Sequence, residues 1–207
     1  MNKIYTITIS YLMILTIVFT SFVSFISVYS DQKPVYAGSP FVRDVFASPY
    51  EEECALALNR LNLLFGYEDG TFRPQNTLTR AEFVALIVRV MAIESTYTSF
   101  SNPFSDVSSG DWFYKVVCIS YDRNYVGGYP DNTFRPSASI TYAEAVSILV
   151  RLLGHGSNLR GNWPDNYISR AAEIGLTANI RLSADTAIKR GECFILICDA
   201  LSIEIKR

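Results

Sequence analysis

The chain has 207 residues, a formal net charge of −2 and four cysteines, a length that suits one or two domains. Hydrophobic residues make up 49 % of the sequence and charged residues 18 %, so a packed core is expected and general disorder is excluded. The lysines and arginines are scattered and form no large cluster, which argues against nucleic acid as a partner, because a phosphate backbone requires clustered positive charge.

The first 37 residues have the composition of an export signal. Lys3 is followed by an uncharged, largely apolar run from Ile4 to Tyr29, and residues 35–37 offer a site for signal-peptide cleavage. We predict a signal peptide over residues 1–37. Its retention as a membrane anchor stays open, because 26 uncharged residues are long enough to span a bilayer. In both cases the remainder of the chain lies outside the cytoplasm.

An internal repeat organises the rest of the sequence. A shift of 62 residues superposes residues 66–74 on residues 128–136, with seven of the nine positions identical. The same shift carries Asp44 onto Asp106 without a gap. A third, degenerate copy lacks the glycine-rich loop. The predicted repeats span residues 41–93, 104–155 and 162–207.

Each repeat is predicted to form a helix, a turn-rich loop and a second helix. The first helices are expected at about Glu51–Leu64, Tyr114–Asn124 and Asn166–Gly175, and the second ones begin near Thr79, Thr141 and Lys189. In the second helices the apolar residues recur at i, i+3, i+4 and i+7, at the same register three times. One such unit is too small to bury this stripe, whereas three copies around a shared axis can bury it.

Two features of the loops are interpreted structurally. Thr79 with Glu82, and Thr141 with Glu144, have the spacing of capping boxes, so both glutamates are interpreted as helix caps. Positive φ angles are expected at three loop glycines: Gly66, Gly70 and Gly128.

The even number of cysteines in an exported chain allows disulfides, and the spacing of Cys54, Cys118, Cys193 and Cys198 does not match a zinc site. Two of them lie at apolar helix positions, and in the repeat Cys198 replaces a valine. Buried thiols are therefore favoured over disulfides. The disulfide state of Cys54 and Cys118 stays open.

The Asp-Val pair, the tryptophan, the loop Gly-Tyr-x-Asp-x-Thr-Phe-Arg-Pro and the following Thr-Arg-Ala-Glu-Phe together resemble the S-layer homology family, over about residues 41–201. The resemblance implies an all-α fold in which three helix-loop-helix repeats pack as a pseudo-trimer. It also implies non-covalent binding of secondary cell-wall polysaccharide, often pyruvylated, in grooves between the repeats. Such a module anchors its protein at the bacterial cell wall and surface.

The resemblance also assigns polysaccharide-binding residues. Arg80 and Arg190 hold the arginine position of the Thr-Arg-Ala-Glu motif, and Arg80 is further expected to lie exposed at a helix start, whose free amides favour an anion. In the second repeat Tyr142 replaces this arginine. It is expected to bind the polysaccharide by stacking on a sugar or donating a hydrogen bond but to hold a carboxylate less well, so at most two good sites are expected. The other motif positions expected to shape the grooves are Asp44, Asp106, Trp112, Trp163, Gly66 and Gly128.

The sequence carries no motif of a catalytic site, and the lone His155 lies in a glycine-rich segment. We therefore predict that the protein is not an enzyme and needs no cofactor or metal. Two alternatives stay open: an adaptor that docks another envelope protein while its sugar sites have decayed, and a wall hydrolase with an unrecognised site. A membrane is expected as a partner only if the leader is retained.

Overall fold

The structure, a computed structural model, describes residues 44–91 and 100–206. The predicted signal peptide lies outside this range. In the described residues the all-α class is confirmed, and none of their helices is long and apolar enough to cross a bilayer. Six helices lie in the described ranges: α1 (Pro49–Arg60), α2 (Arg80–Val90), α3 (Tyr114–Asp122), α4 (Tyr142–Leu152), α5 (Asp165–Glu173) and α6 (Arg190–Leu201).

The main helix contacts join neighbouring repeats. Helix α2 packs against α3, α4 packs against α5, and α1 packs against α6. The second helix of each repeat therefore pairs with the first helix of the next repeat. Because α1 belongs to the first repeat and α6 to the third, their contact closes the three pairs into a ring. A single repeat cannot bury its apolar stripe, since its partner comes from a neighbour.

Three backbone hydrogen bonds form a triangle at the junction of the three repeats. The amide of Leu78 donates to the carbonyl oxygen of Ile188 at 3.3 Å, Ile188 donates to Ile140 at 3.0 Å, and Ile140 donates to Leu78 at 3.0 Å. All three side chains are buried. The third repeat, although eroded in sequence, supplies its equivalent bond, so its local structure matches that of the other two.

The first amides of the second helices are occupied by loops of other repeats. In α2, Arg80 N donates to the Ala138 oxygen at 2.9 Å and Ala81 N donates to the Pro136 oxygen at 3.1 Å. Helices α4 and α6 repeat the arrangement. The expectation of free amides at the start of α2 was therefore wrong, because the ring itself uses them.

The capping boxes are confirmed at Thr79 with Glu82 and at Thr141 with Glu144, where each threonine hydroxyl accepts from a backbone amide and each glutamate accepts in return. In the third repeat the Glu192 carboxylate still accepts from the backbone amide at position 189, at 2.7 Å.

The loop glycines serve two different purposes. Gly70 has the expected positive φ of 79°. The same expectation was wrong for Gly66 and Gly128, which instead allow a close approach of the backbone. A Cβ atom would lie 2.9 Å from the Thr71 carbonyl oxygen at Gly66 and 2.9 Å from the Thr133 carbonyl oxygen at Gly128.

All four cysteines are free thiols in the structure, and all four are buried. Burial raises the pKa of Cys118 to about 11 and that of Cys193 to about 12. These two thiols therefore stay protonated at neutral pH and pack as small apolar side chains.

Candidate ligand-binding cleft

A cleft of about 430 Å³ opens where the three repeats meet. The first repeat contributes Arg80, the second contributes the loop 126–130 and one face of α4, and the third contributes Trp163. The face of α4 presents Glu144, Ser147, Ile148 and Arg151. A charged and aromatic lining of this kind can both orient a polar ligand and cover its apolar faces.

Arg80 is part of the fold as well as of the cleft. Its Nε donates to the Phe134 carbonyl oxygen at 2.9 Å, and its guanidinium pairs with the Glu144 carboxylate at 3.0 Å. Only 5 % of the residue is exposed. The expected exposure of Arg80 was therefore wrong: the loop that carries Phe134 packs over the arginine and leaves it a small share of the cleft wall.

The charge of Arg80 is neutralised inside the cleft. Burial alone would raise the pKa of Glu144, but hydrogen bonds from Thr141 and Tyr129 and the charge of Arg80 lower it. The Tyr129 hydroxyl donates to the same carboxylate at 2.6 Å. Glu144 is therefore ionised at neutral pH, and the pair contributes no net charge to the lining.

Arg151 supplies the positive charge that remains. It is half-buried, its Nε donates to the Tyr167 hydroxyl at 3.0 Å, and its guanidinium lies 5.0 Å from the centre of that ring. Among the described residues no carboxylate forms an ion pair with it. Sequence reasoning missed Arg151 as a site residue, although the repeat places Arg89 at the equivalent position, which was the available signal.

Trp163 forms an aromatic wall of the cleft. The residue is 55 % exposed, and its Nε1 donates to the Ser147 hydroxyl at 3.0 Å. Ser147 is itself buried on α4, so the hydrogen bond fixes the orientation of the indole while leaving much of the ring accessible to a ligand.

Of the other predicted residues, Gly128 lines the cleft, Asp106 organises the loop beside it, and Asp44 organises the equivalent loop of the first repeat. Asp106 accepts from the amides of Phe134 and Arg135 at 2.7 and 2.8 Å, and Asp44 makes the equivalent pair of bonds in the first repeat. Neither aspartate lines the cleft itself.

The elements that line this cleft recur around α2. Arg190 donates through Nε to the Phe72 carbonyl oxygen at 2.8 Å and lies 5.0 Å from the Tyr67 ring centre, as Arg80 does in the second repeat. Arg89 is exposed on α2, and Trp112 is 65 % exposed. By the register of the repeat, Gly66 corresponds to the cleft glycine.

The third copy of these elements differs in charge. Tyr142 is 1 % exposed and its hydroxyl donates to the Ile180 carbonyl oxygen at 3.2 Å. Asp199 takes the position of the cleft arginine of α4 and accepts from the Tyr50 hydroxyl and the Asn179 amide, both at 2.8 Å. The third copy therefore has a buried tyrosine in place of the motif arginine and an aspartate in place of the cleft arginine.

The helix pairs and the cleft at the junction define a module of helical repeats packed around a shared centre. A family model, the S-layer homology domain, matches residues 43–84 and 103–146. The chain therefore belongs to the S-layer homology family. The two matched segments fall in the first and second repeats.

Several curated proteins are similar to this chain. The middle cell wall protein of Brevibacillus brevis is 36 % identical over 156 residues, covering 74 % of this chain and 15 % of that protein. The surface layer protein of Brevibacillus choshinensis is 39 % identical over 131 residues (62 % of this chain and 12 % of that protein). The cellulosome-anchoring protein of Acetivibrio thermocellus is 39 % identical over 99 residues (46 % and 22 %).

The chain thus spans less than a quarter of the length of these relatives. The family and the relatives identify it as a secreted protein of the bacterial cell surface, associated with the cell wall.

Proposed function

We propose that this protein is a non-catalytic module that binds secondary cell-wall polysaccharide linked to peptidoglycan and so anchors itself at the bacterial surface. The observation that carries the proposal is the cleft at the repeat junction, where an exposed indole lines the same space as the guanidinium of Arg151, which forms no ion pair among the described residues. The names of the relatives, a cell wall protein, a surface layer protein and a cellulosome-anchoring protein, agree with anchoring.

The aromatic wall suits a sugar ring. Trp163 presents a flat apolar surface whose orientation is fixed by its bond to Ser147, and the faces of a pyranose ring that carry C–H groups pack well on such a surface. The polar edge of the sugar can reach the Tyr129 hydroxyl, the Glu144 carboxylate and backbone groups of the loop 126–130.

The charge of the lining favours an acidic polymer. Arg80 and Glu144 cancel, so Arg151 leaves the cleft with one uncompensated positive charge. A guanidinium pairs with a carboxylate through two parallel hydrogen bonds. A pyruvate ketal on a sugar offers such a carboxylate, and we propose a polymer of this kind as the ligand.

We further propose two binding sites in the chain. The second lies beside α2, where Arg190, Arg89 and Trp112 take the equivalent positions. The third copy is excluded from this role because Asp199 repels an anion where the other copies attract one.

Co-sedimentation with purified cell-wall sacculi tests the proposal. The protein should pellet with intact sacculi and stay in solution after the secondary polysaccharide is stripped from them. Trp163→Ala should weaken pelleting, while Tyr121→Ala, which removes a partly exposed aromatic residue outside the cleft, should not.

Binding that survives stripping would overturn the proposal and favour the adaptor, because a protein component of the wall would then be the partner. Clearing of wall material by the purified protein in a zymogram would favour the hydrolase instead.

A further inference from the structure

Two buried thiols meet at the seam between α1 and α6, which closes the ring. Cys54 lies on α1 and Cys198 on α6, and their exposures are 2 % and 1 %. The Cys198 thiol donates to the Cys54 backbone carbonyl oxygen at 3.9 Å. The two cysteines are thus adjacent in the core although 144 residues separate them in the chain.

The other two seams show what packing requires at these positions. By the register of the repeat, the positions equivalent to Cys198 and Cys54 hold Val88 and Val116 at the seam of α2 and α3. They hold Val150 and Tyr167 at the seam of α4 and α5. An apolar or aromatic pair is therefore enough to fill the seam. In the described part of the chain, only the seam between α1 and α6 has cysteine on both sides, and packing alone does not require it.

The position of this seam gives a cross-link its largest effect. Helices α2 and α3, and likewise α4 and α5, are neighbours in sequence, whereas α1 and α6 lie near opposite ends of the described chain. Closing the longest loop restricts the unfolded chain most, so a covalent link there stabilises the ring more than one at another seam. The protein also works outside the cytoplasm, where disulfides form and persist.

We propose that Cys54 and Cys198 form a disulfide in the exported protein and that this bond closes the ring covalently. Two S–H bonds break and one S–S bond forms. The two protons and two electrons pass to the disulfide of an oxidant, either an extracytoplasmic thiol–disulfide oxidoreductase or oxidised glutathione, which leaves as two thiols. Because both thiols are buried in the folded state, the exchange takes place before α6 docks on α1.

The test is refolding of the full chain in a buffer of oxidised and reduced glutathione, followed by alkylation in denaturant without reductant. We expect two of the four cysteines to resist alkylation and a proteolytic fragment to link Cys54 with Cys198. Against the reduced protein, the oxidised protein should melt at a temperature higher by about 10 °C.

Valine variants supply the controls, because valine takes the equivalent position at another seam. Cys54→Val should leave every remaining cysteine open to alkylation and remove the gain in melting temperature, while Cys118→Val should keep both the protected pair and the gain. Four alkylated cysteines in the oxidised wild-type protein, or a protected pair that contains Cys118 or Cys193, would overturn the proposal. The number of alkylated cysteines in the wild-type protein tests the proposal even if a variant fails to fold.

Discussion

Replacing Arg80 by alanine should lower the stability of the fold and not only remove a residue from the cleft wall. The substitution removes the donor to the Phe134 carbonyl oxygen and the cation that faces Glu144, at 2.9 and 3.0 Å. The Arg80 side chain is 6 % exposed and that of Glu144 is 14 % exposed, so water cannot fully replace the lost partner. The carboxylate would remain in the cleft wall without its cation.

Removing one partner of a buried ion pair costs about 3–5 kcal/mol of unfolding free energy. In a protein of this size each kcal/mol corresponds to a fall of about 2–4 °C in Tm. We therefore expect Arg80→Ala to lower Tm by about 10 °C. Polysaccharide binding should fall at temperatures where the variant begins to unfold.

Thermal unfolding followed by far-ultraviolet circular dichroism measures this change. Arg135→Ala is the matched control, since that arginine pairs with Asp131 at 3.0 Å in an exposed ion pair, and exposed pairs contribute little to stability. The reasoning would be refuted if Arg80→Ala kept the wild-type Tm and still lost polysaccharide binding, because Arg80 would then act as a ligand contact without a role in the fold.

Three further changes test the packing and the charges of the ring. Gly191→Ala places a methyl group against the Glu51 carboxylate, and we expect this overpacking to lower the free energy of unfolding by about 1–3 kcal/mol. The double variant Gly191→Ala with Glu51→Ala should lose less than the sum of the two single losses. Burial raises the pKa of Asp199, so the stability supplied by its protonated form is lost as the pH rises through the folded-state pKa. Asparagine does not ionise, so Asp199→Asn should raise Tm at neutral pH. Gly128→Ala should lower Tm and weaken binding together, because its Cβ would meet the Thr133 carbonyl oxygen.

Each of these predictions has a contradicting outcome in a melting or a binding experiment. Equal destabilisation by Gly191→Ala with and without Glu51→Ala would show that the carboxylate does not occupy the space beside the glycine. Parallel curves of Tm against pH for the wild type and Asp199→Asn would show that this carboxyl group does not titrate differently in the two states. Wild-type polysaccharide binding by Gly128→Ala would show that the conformation of this loop does not determine binding in the cleft.

The helices and their caps were predictable because they depend on local sequence. The threonine–glutamate spacing at the start of α2 and α4 and the apolar stripe at one register fix where these helices begin and which face they bury. The repeat carried the same prediction into the third copy, where Lys189 has replaced the threonine.

The pairing of the helices and the role of Arg80 could not be read from local sequence. An arginine one residue inside a helix looks solvent-exposed until the loop of the next repeat, with Phe134 and Ala138, is placed over it. The repeat itself showed that Arg151 recurs at the position of Arg89. That no carboxylate of the described residues pairs with Arg151 depends on the three-dimensional arrangement.

The positions of Tyr50 and Asp199 show a further limit. Each replaces a residue of the other copies, Trp112 and Arg151 respectively, and each replacement alone looks like erosion of a repeat. The structure shows that the two substitutions belong together, since the hydroxyl of one donates to the carboxylate of the other at 2.8 Å. Only contact across the ring closure reveals this pairing.

Calorimetric titration with the polysaccharide released from sacculi, performed on the wild type and on Arg151→Ala, tests the central proposal most directly. A hydrogen-bonded charge contact contributes about 1.5–3 kcal/mol, so we expect Arg151→Ala to bind about 10- to 100-fold more weakly at the cleft with little change in Tm. Equal affinity of the two proteins would contradict the proposal that the cleft beside α4 recognises an acidic wall polymer through this arginine.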